Sequence, residues 1–355
     1  MHLGNAYAAL AAWLGARSAG GQVRLRIEDI DTPRVVKDAD RWIQDDLAWL
    51  GLDWDGSVVY QSQRQDLYRQ AFSRLKAQQL PEAGGGDPNG KQKLIYPCFC
   101  SRADIRAASA PNEGDGFLVY PGTCRHLAPV RAEGRILAGD RHAWRIAVPS
   151  GGQPGSACRF QDQIYGPQSY DLPTEVGDVV VVRSDGIMAY QLAVSVDDLD
   201  MGITQVVRGR DLLRSTALQL WIRAHLAAGQ AGLAGQGSAE ENSAEQDLPE
   251  SDAGLPAVQW AHLPLVDGGD GRRLSKRYGS LDLGTLRAQG VRPQQVLGLC
   301  AWLLGLQIRP EPAQLSQLLA VFDWGLIAAH RQDRVLKPST LATMVEESQL
   351  SVKAG

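Results

Sequence analysis

Several groups of residues in this 355-residue chain have the types and spacing that chemistry requires. Cys98 and Cys100 stand one residue apart after Tyr96-Pro97, and Tyr120, Cys124 and His126 follow in a second tight group. Thiolates joined by a phenolate or an imidazole can hold one zinc ion tetrahedrally. The rival reading is a set of buried, inert thiols, because C-x-C is less usual than C-x-x-C. Arg208 precedes Gly209 where the apolar pair Val206-Val207 ends, so its guanidinium can turn into a crevice and fork onto a carboxylate or phosphate. Ser275 and Lys276 lie in a glycine- and cation-rich loop, Asp267 to Arg277, which reads as a phosphate clamp or as a solvated turn. His2, Gly4 and Asn5 open a helical pattern, and free N–H groups at a helix start favour an anion.

The elements that must position these groups follow from periodicity. Ala6 to Arg17 reads as a helix with Leu10, Trp13 and Leu14 on one face, Asn5 as its N-cap and Gly20-Gly21 as its stop. Gln22 to Ile27 reads as a strand ending in the acidic run Glu28-Asp29-Ile30-Asp31, followed by helices over Asp38–Leu50 and Gln63–Gln79. Tyr190, Leu192, Val194 and Val196 alternate with smaller or more polar residues, the pattern of a strand that ends at Asp197-Asp198. A second strand at Val206-Val207 and a helix through Leu218 and Trp221 complete a unit of the kind that builds a ligand crevice at strand ends. His142 to Val182 reads as β-rich, with Val179 to Val182 fully buried, and His262 to Val266 as a short strand. Helices over Gln295–Leu306, Pro312–Val321 and Pro338–Glu347 form a helical tail with a frayed end after Leu350. Pro81–Lys93 and Gly229–Pro256 are low in core residues and read as a flexible insertion and a disordered linker.

Composition sets outer limits. With 44% hydrophobic and 21% charged residues the chain is ordinary globular protein, and a net charge of −4 argues against wholesale polyanion coating. No apolar run approaches the ~20 residues of a membrane span. Five cysteines in this pattern do not form a secreted disulfide framework, which makes the expected compartment the cytoplasm.

His2-Leu3-Gly4-Asn5 and Leu274-Ser275-Lys276-Arg277 resemble the two signatures of class I aminoacyl-tRNA synthetases, with Asn5 in place of a His and Leu274 in place of a Met. Between them, Arg24–Asp31 (RLRIEDID), Met188–Asp198 and Val206–Leu213 resemble the glutamyl-tRNA synthetase branch, to about Leu306. The cysteine clusters look most like those of its truncated relatives that glutamylate queuosine in tRNA(Asp), as does a chain with no large anticodon-binding region after the Lys-Ser-Lys loop. The family pattern starts with a strand and a Pro-Ser-Pro-like loop, so such a segment is expected upstream of Met1.

The resemblance implies an α/β fold with a Rossmann-like parallel sheet, split by a zinc-containing β-rich insertion and followed by a small helical C-terminal region. It divides the chain at 1–94 and 187–262 (catalytic halves, with linker 229–256), 95–186 (insertion) and 263–355 (Lys-Ser-Lys loop and helices). Glu28 would meet the amino group of glutamate, while Tyr190 and Arg208 would complete the amino-acid site, Arg208 taking a carboxylate. His2, Gly4, Asn5 and Lys276 would hold ATP with Mg²⁺, with His2 and Lys276 acting on the phosphates in the chemical step. Cys98, Cys100, Tyr120 and Cys124 would bind one structural zinc, with His126 the rival fourth ligand. The implied activity is ATP-dependent formation of glutamyl-adenylate and transfer to queuosine of tRNA(Asp), by a monomer with no membrane partner. An ordinary glutamyl-tRNA synthetase charging a 3′ end and a non-catalytic tRNA- or nucleotide-binding module are the alternatives.

Overall fold

The computed structural model describes residues 1–31, 34–80, 92–108, 118–231, 257–268 and 282–353. Helix α1 (Leu3–Ser18) buries Leu3, Tyr7, Leu10 and Leu14, an i, i+3/i+4 spacing that lays one face on the core. His2, rather than Asn5, caps it: the His2 backbone is extended and its carbonyl accepts from the Asn5 and Ala6 N–H groups. The apolar face begins at Leu3, so the turn that contains Asn5 is already helical. Strand β1 (Arg26–Ile27) pairs in parallel with β2 (Val59–Tyr60), with α2 (Ala39–Leu50) between them and α3 (Gln65–Lys76) after. The strand expected from Gln22 is thus two residues long. Its earlier part makes only scattered backbone bonds, Asp55 N–H to Val23 and Val59 N–H to Leu25.

Next come β3 (Ile95–Cys98), α4 (Arg102–Ala108), α5 (Pro129–Leu137), β4 (Ala143–Ile146), β5 (Ala157–Asp162), β6 (Gly166–Asp171) and β7 (Val179–Val182). Strands β3, β4 and β7 form an antiparallel sheet. In β7 only Val181 and Val182 are buried, because one face of this sheet stays partly open. The stretch expected as a strand at Tyr190–Val196 is a helix, α6 (Tyr190–Asp200). Every residue from Leu192 to Asp198 is buried, and a helix buried on all sides shows no helical stripe for periodicity to find.

The chain then forms β8 (Gln205–Gly209), α7 (Leu213–Ala231), β9 (Gln259–Leu263) and β10 (Val266–Gly268). The strand expected from His262 to Val266 is therefore two strands, broken at Pro264, which has no N–H for a ladder. Helices α8 (Leu283–Ala288), α9 (Pro293–Leu304), α10 (Leu315–Val321) and α11 (Trp324–Ala329) follow, then β11 (Arg334–Leu336) and α12 (Pro338–Lys353). Helix α12 continues past the expected end at Glu347. Strand order in the largest sheet is β6-β5-β9-β8, with β5, β9 and β8 parallel. Most of Pro81–Lys93 and of Gly229–Pro256, and the loop bearing Ser275 and Lys276, lie outside the described residues.

Two hydrophobic cores result. One gathers α1, α2, α9 and the C-terminal helices; the other gathers α3, β3, β4, β7, α6 and α7. Helix α1 runs antiparallel to β8: the Tyr7 hydroxyl donates to the Pro264 carbonyl at 3.2 Å, while Gly15 abuts Gln205 at the start of β8. The N-terminus of α1 therefore lies at the carboxyl ends of β8 and β9, the edge where open α/β sheets bind ligands. No helix among the described residues is long and apolar enough to cross a membrane.

Candidate active site

At that edge the last side chains of β8 and β9 meet. Register pairs Arg208 with His262. Arg208 Nε donates to His262 Nε2 at 3.2 Å, Nη1 to Gln219 Oε1 at 2.8 Å and Nη2 to Thr216 Oγ1 at 2.6 Å. Its guanidinium carbon lies 5.3 Å from the Trp260 ring centroid. All these partners are uncharged, and no carboxylate among the described residues touches the group. Burial pulls the Arg208 guanidinium below its usual range, against the through-space effect of Asp198 and Glu28. A half-buried cation whose hydrogen-bond partners are neutral can donate to and pair with an incoming carboxylate.

Tyr190, the first residue of α6, is 39% exposed and lies beside this guanidinium. Burial raises its phenol pKa, Arg208 works against the rise, and the charge of Glu28 adds to it. Glu28 follows β1 and is exposed, with Arg26 bound to it at 3.1 Å. Thus Glu28, Tyr190 and Arg208 share one electrostatic neighbourhood although 180 residues separate the first from the last. Beneath them Arg26 also donates to Asp198 at 2.8 Å, and Asp197 is fully buried. Asp197 accepts from Gln61 at 2.9 Å, Arg64 at 2.7 Å and the Tyr68 hydroxyl at 2.9 Å. Burial opposes the charge on Arg26, but Asp198 and Glu28 outweigh it and hold the guanidinium above its usual range.

His2 and Gly4 sit in the first turn of α1, which has no side-chain cap. A Cβ placed on Gly4 would meet nothing within 4 Å, so the approach to this turn is open. Asn5 is exposed beside it. The His2 backbone bridges Asp282, six residues beyond Lys276 in the sequence; Lys276 itself lies outside the described residues.

A second group lies at the end of β3. The sulfurs of Cys98, Cys100 and Cys124 are all within 4.8 Å of one another. The Tyr120 hydroxyl is 3.4 Å from Cys98 Sγ and 3.5 Å from Cys100 Sγ. A tetrahedral zinc with Zn–S bonds of about 2.3 Å has ligand edges of about 3.8 Å, so these four atoms fit one ion. His126 is exposed and outside the cysteine group. Burial pushes the Cys98 thiol up, but hydrogen bonds with Tyr120 and Arg145 outweigh it and leave it below its usual range. The Arg145 guanidinium carbon sits 3.8 Å from the Tyr120 ring centroid, a cation over the face of that ring.

Sequence reading overlooked His262 and Asp162 behind Arg208, and Arg145 behind the cysteines. A histidine inside the otherwise apolar run Trp260–Leu263 was the available signal, since a polar group there must have a partner.

Residues 1–233 match the family model for the catalytic domain of class I tRNA synthetases (E and Q). The chain is 41% identical over 336 residues to the glutamyl-Q tRNA(Asp) synthetase of Symbiobacterium thermophilum, covering 91% of this chain and 88% of that one. It is 37% identical over 358 residues to the protein of that name from Aromatoleum aromaticum, covering 99% and 94%. Among solved structures, a glutamate-tRNA synthetase from Elizabethkingia anophelis aligns with a TM-score of 0.70 at 23% identity, over 97% of this chain and 67% of that one. That likeness concerns the fold: mixed α/β with a parallel sheet, as in class I synthetases.

Proposed function

The chain belongs to the glutamyl-Q tRNA(Asp) synthetases within the class I (E and Q) family, and from that membership we propose what each residue of the crevice does. The enzyme is a ligase that activates L-glutamate with ATP and transfers it to queuosine in tRNA(Asp). In the first step a glutamate α-carboxylate oxygen bonds to the α-phosphorus of ATP and the bond to pyrophosphate breaks. In the second a hydroxyl of queuosine attacks the acyl carbon, losing its proton, and AMP leaves.

Arg208 takes a carboxylate of glutamate through its fork, Tyr190 closes the site with its hydroxyl, and Glu28 anchors the ammonium group. The observation that carries this reading is the half-buried Arg208, whose hydrogen-bond partners are all uncharged, with Tyr190 and Glu28 in its electrostatic surroundings. His2, Gly4 and Asn5 present the uncapped turn of α1 to the ATP phosphates, with Lys276 as the opposing point charge. Mg²⁺ would neutralise phosphate charge when ATP binds. Cys98, Cys100, Tyr120 and Cys124 would hold a structural zinc that ties the end of β3 to the loop before α5, inside an insertion over 95–186. The same reading keeps 1–94 and 187–262 as the two halves of the catalytic unit, 263–355 as the Lys-Ser-Lys loop with its helices, and a monomer as the working form.

The test is radiolabelled glutamate transfer to tRNA(Asp) with queuosine, to tRNA(Asp) without it, and to tRNA(Glu). Label on the first alone is expected. Label at the 3′ end of tRNA(Glu) would reverse the assignment in favour of an ordinary synthetase.

A further inference from the structure

We propose that His262 and Asp162 are positioning residues for glutamate: a neutral imidazole passes the charge of a buried carboxylate to Arg208 and fixes the plane of its guanidinium. The role rests on Arg208 being the glutamate contact. His262 is fully buried and Asp162 is 1% exposed. Asp162 Oδ1 accepts from the backbone N–H of Ile164 at 3.0 Å and Tyr165 at 2.9 Å, and Oδ2 from that of His262 at 3.1 Å. Oδ2 also lies 2.6 Å from His262 Nδ1. Three main-chain donors thus lock the carboxylate, and the carboxylate locks the ring.

Protons can be assigned from chemistry alone. A guanidinium only donates, so His262 Nε2, 3.2 Å from Arg208 Nε, must be the acceptor. The ring proton then belongs to Nδ1 and goes to Asp162. Thr216 Oγ1, which accepts from Arg208 Nη2, lies 3.1 Å from the same Nε2 and completes the clasp. A carboxylate placed directly on Arg208 would compete with the substrate carboxylate, whereas even a half-buried arginine far from any counter-charge would be costly. Setting Asp162 one imidazole away meets both constraints. The geometry is that of a second layer of side chains orienting a binding group.

Two measurements on the full chain decide this. Long-range ¹H–¹⁵N spectra of labelled histidine at pH 7 should show His262 with its proton on Nδ1 and a bare Nε2; a proton on Nε2, or an imidazolium, would overturn the relay. In ATP–pyrophosphate exchange, His262→Leu should raise the KM for glutamate about tenfold or more while the KM for ATP stays within about twofold. His262→Gln, which keeps an acceptor for Arg208, should recover most of the loss, and Asp162→Asn should behave like His262→Leu and replaces it if that variant does not fold. An equal rise in both KM values, or a Gln variant with the parent unfolding midpoint that is as impaired as Leu, would make the role merely structural. A parent enzyme without glutamate-dependent exchange would refute the glutamate role, while the tautomer would still decide the relay.

Discussion

Arg208 is held by three uncharged side chains that each use a different nitrogen of its fork, so charge alone cannot replace it. Arg208→Lys keeps the cation but loses the planar donors. Losing charge-assisted hydrogen bonds costs about 1.5–3 kcal/mol, so the KM for glutamate should rise roughly 10- to 150-fold with the KM for ATP unchanged. Saturation kinetics of pyrophosphate exchange measures it, and a parent-like KM for glutamate would remove Arg208 from the amino-acid site. Lys276→Ala should instead lose most adenylate formation at saturating glutamate, since a lysine on the phosphates acts on the transition state. Arg208 draws attention in the sequence because it precedes the glycine where an apolar strand stops, whereas Glu28 and Tyr190 gain a role only through the family resemblance. His262 and Asp162 could not be picked out, because their role comes from register: β9 sets His262 opposite Arg208, and β5 sets Asp162 behind it. No local pattern encodes that pairing.

At the scale of elements, α6 shows why periodicity misleads. YQLAVSVDDLD alternates like a strand, yet tertiary burial of Leu192 to Asp198 makes it a helix whose Asp198 and Asp197 carboxylates reach β1 and α3. Helices with one wet face, such as α2 and α3, were legible because water leaves a stripe; their expected limits fell within a few residues of the observed ones. The cysteine group is also an element-scale device, since it joins the end of β3 to the loop before α5. Elemental analysis should find one zinc per chain. Chelation or Cys98→Ala should lower Tm by several degrees and release the β3 side first, as hydrogen exchange at Ile95–Cys98 would report. A metal-free chain with unchanged Tm and exchange would leave the cysteines as packing residues.

For the whole molecule, a polar cluster underlies the proposed glutamate site. Arg26, Gln61, Arg64 and Tyr68 close on Asp197 and Asp198 of α6. Asp197→Ala removes the acceptor shared by Gln61, Arg64 and Tyr68 while Arg64 keeps Asp200 and Arg26 keeps Asp198, and it should cost about 1–3 kcal/mol of unfolding free energy, read as a lower urea midpoint. Two enclosed imidazoles also fix a pH dependence. Burial lowers the pKa of His262, and it likewise lowers that of His225, packed on Trp221 in the second core. Both rings fold in the neutral form, whereas in the unfolded chain they titrate near about 6.5. Below that value the unfolded state binds more protons, so stability is whole above it and falls as pH drops toward the folded-state values. The urea midpoint should therefore decrease from pH 7.5 to pH 5.5, and His225→Gln with His262→Gln should flatten that slope even if both lower the midpoint at pH 7.5. A slope unchanged by the double substitution would assign acid sensitivity to carboxylates elsewhere and leave the two imidazoles without a share in it.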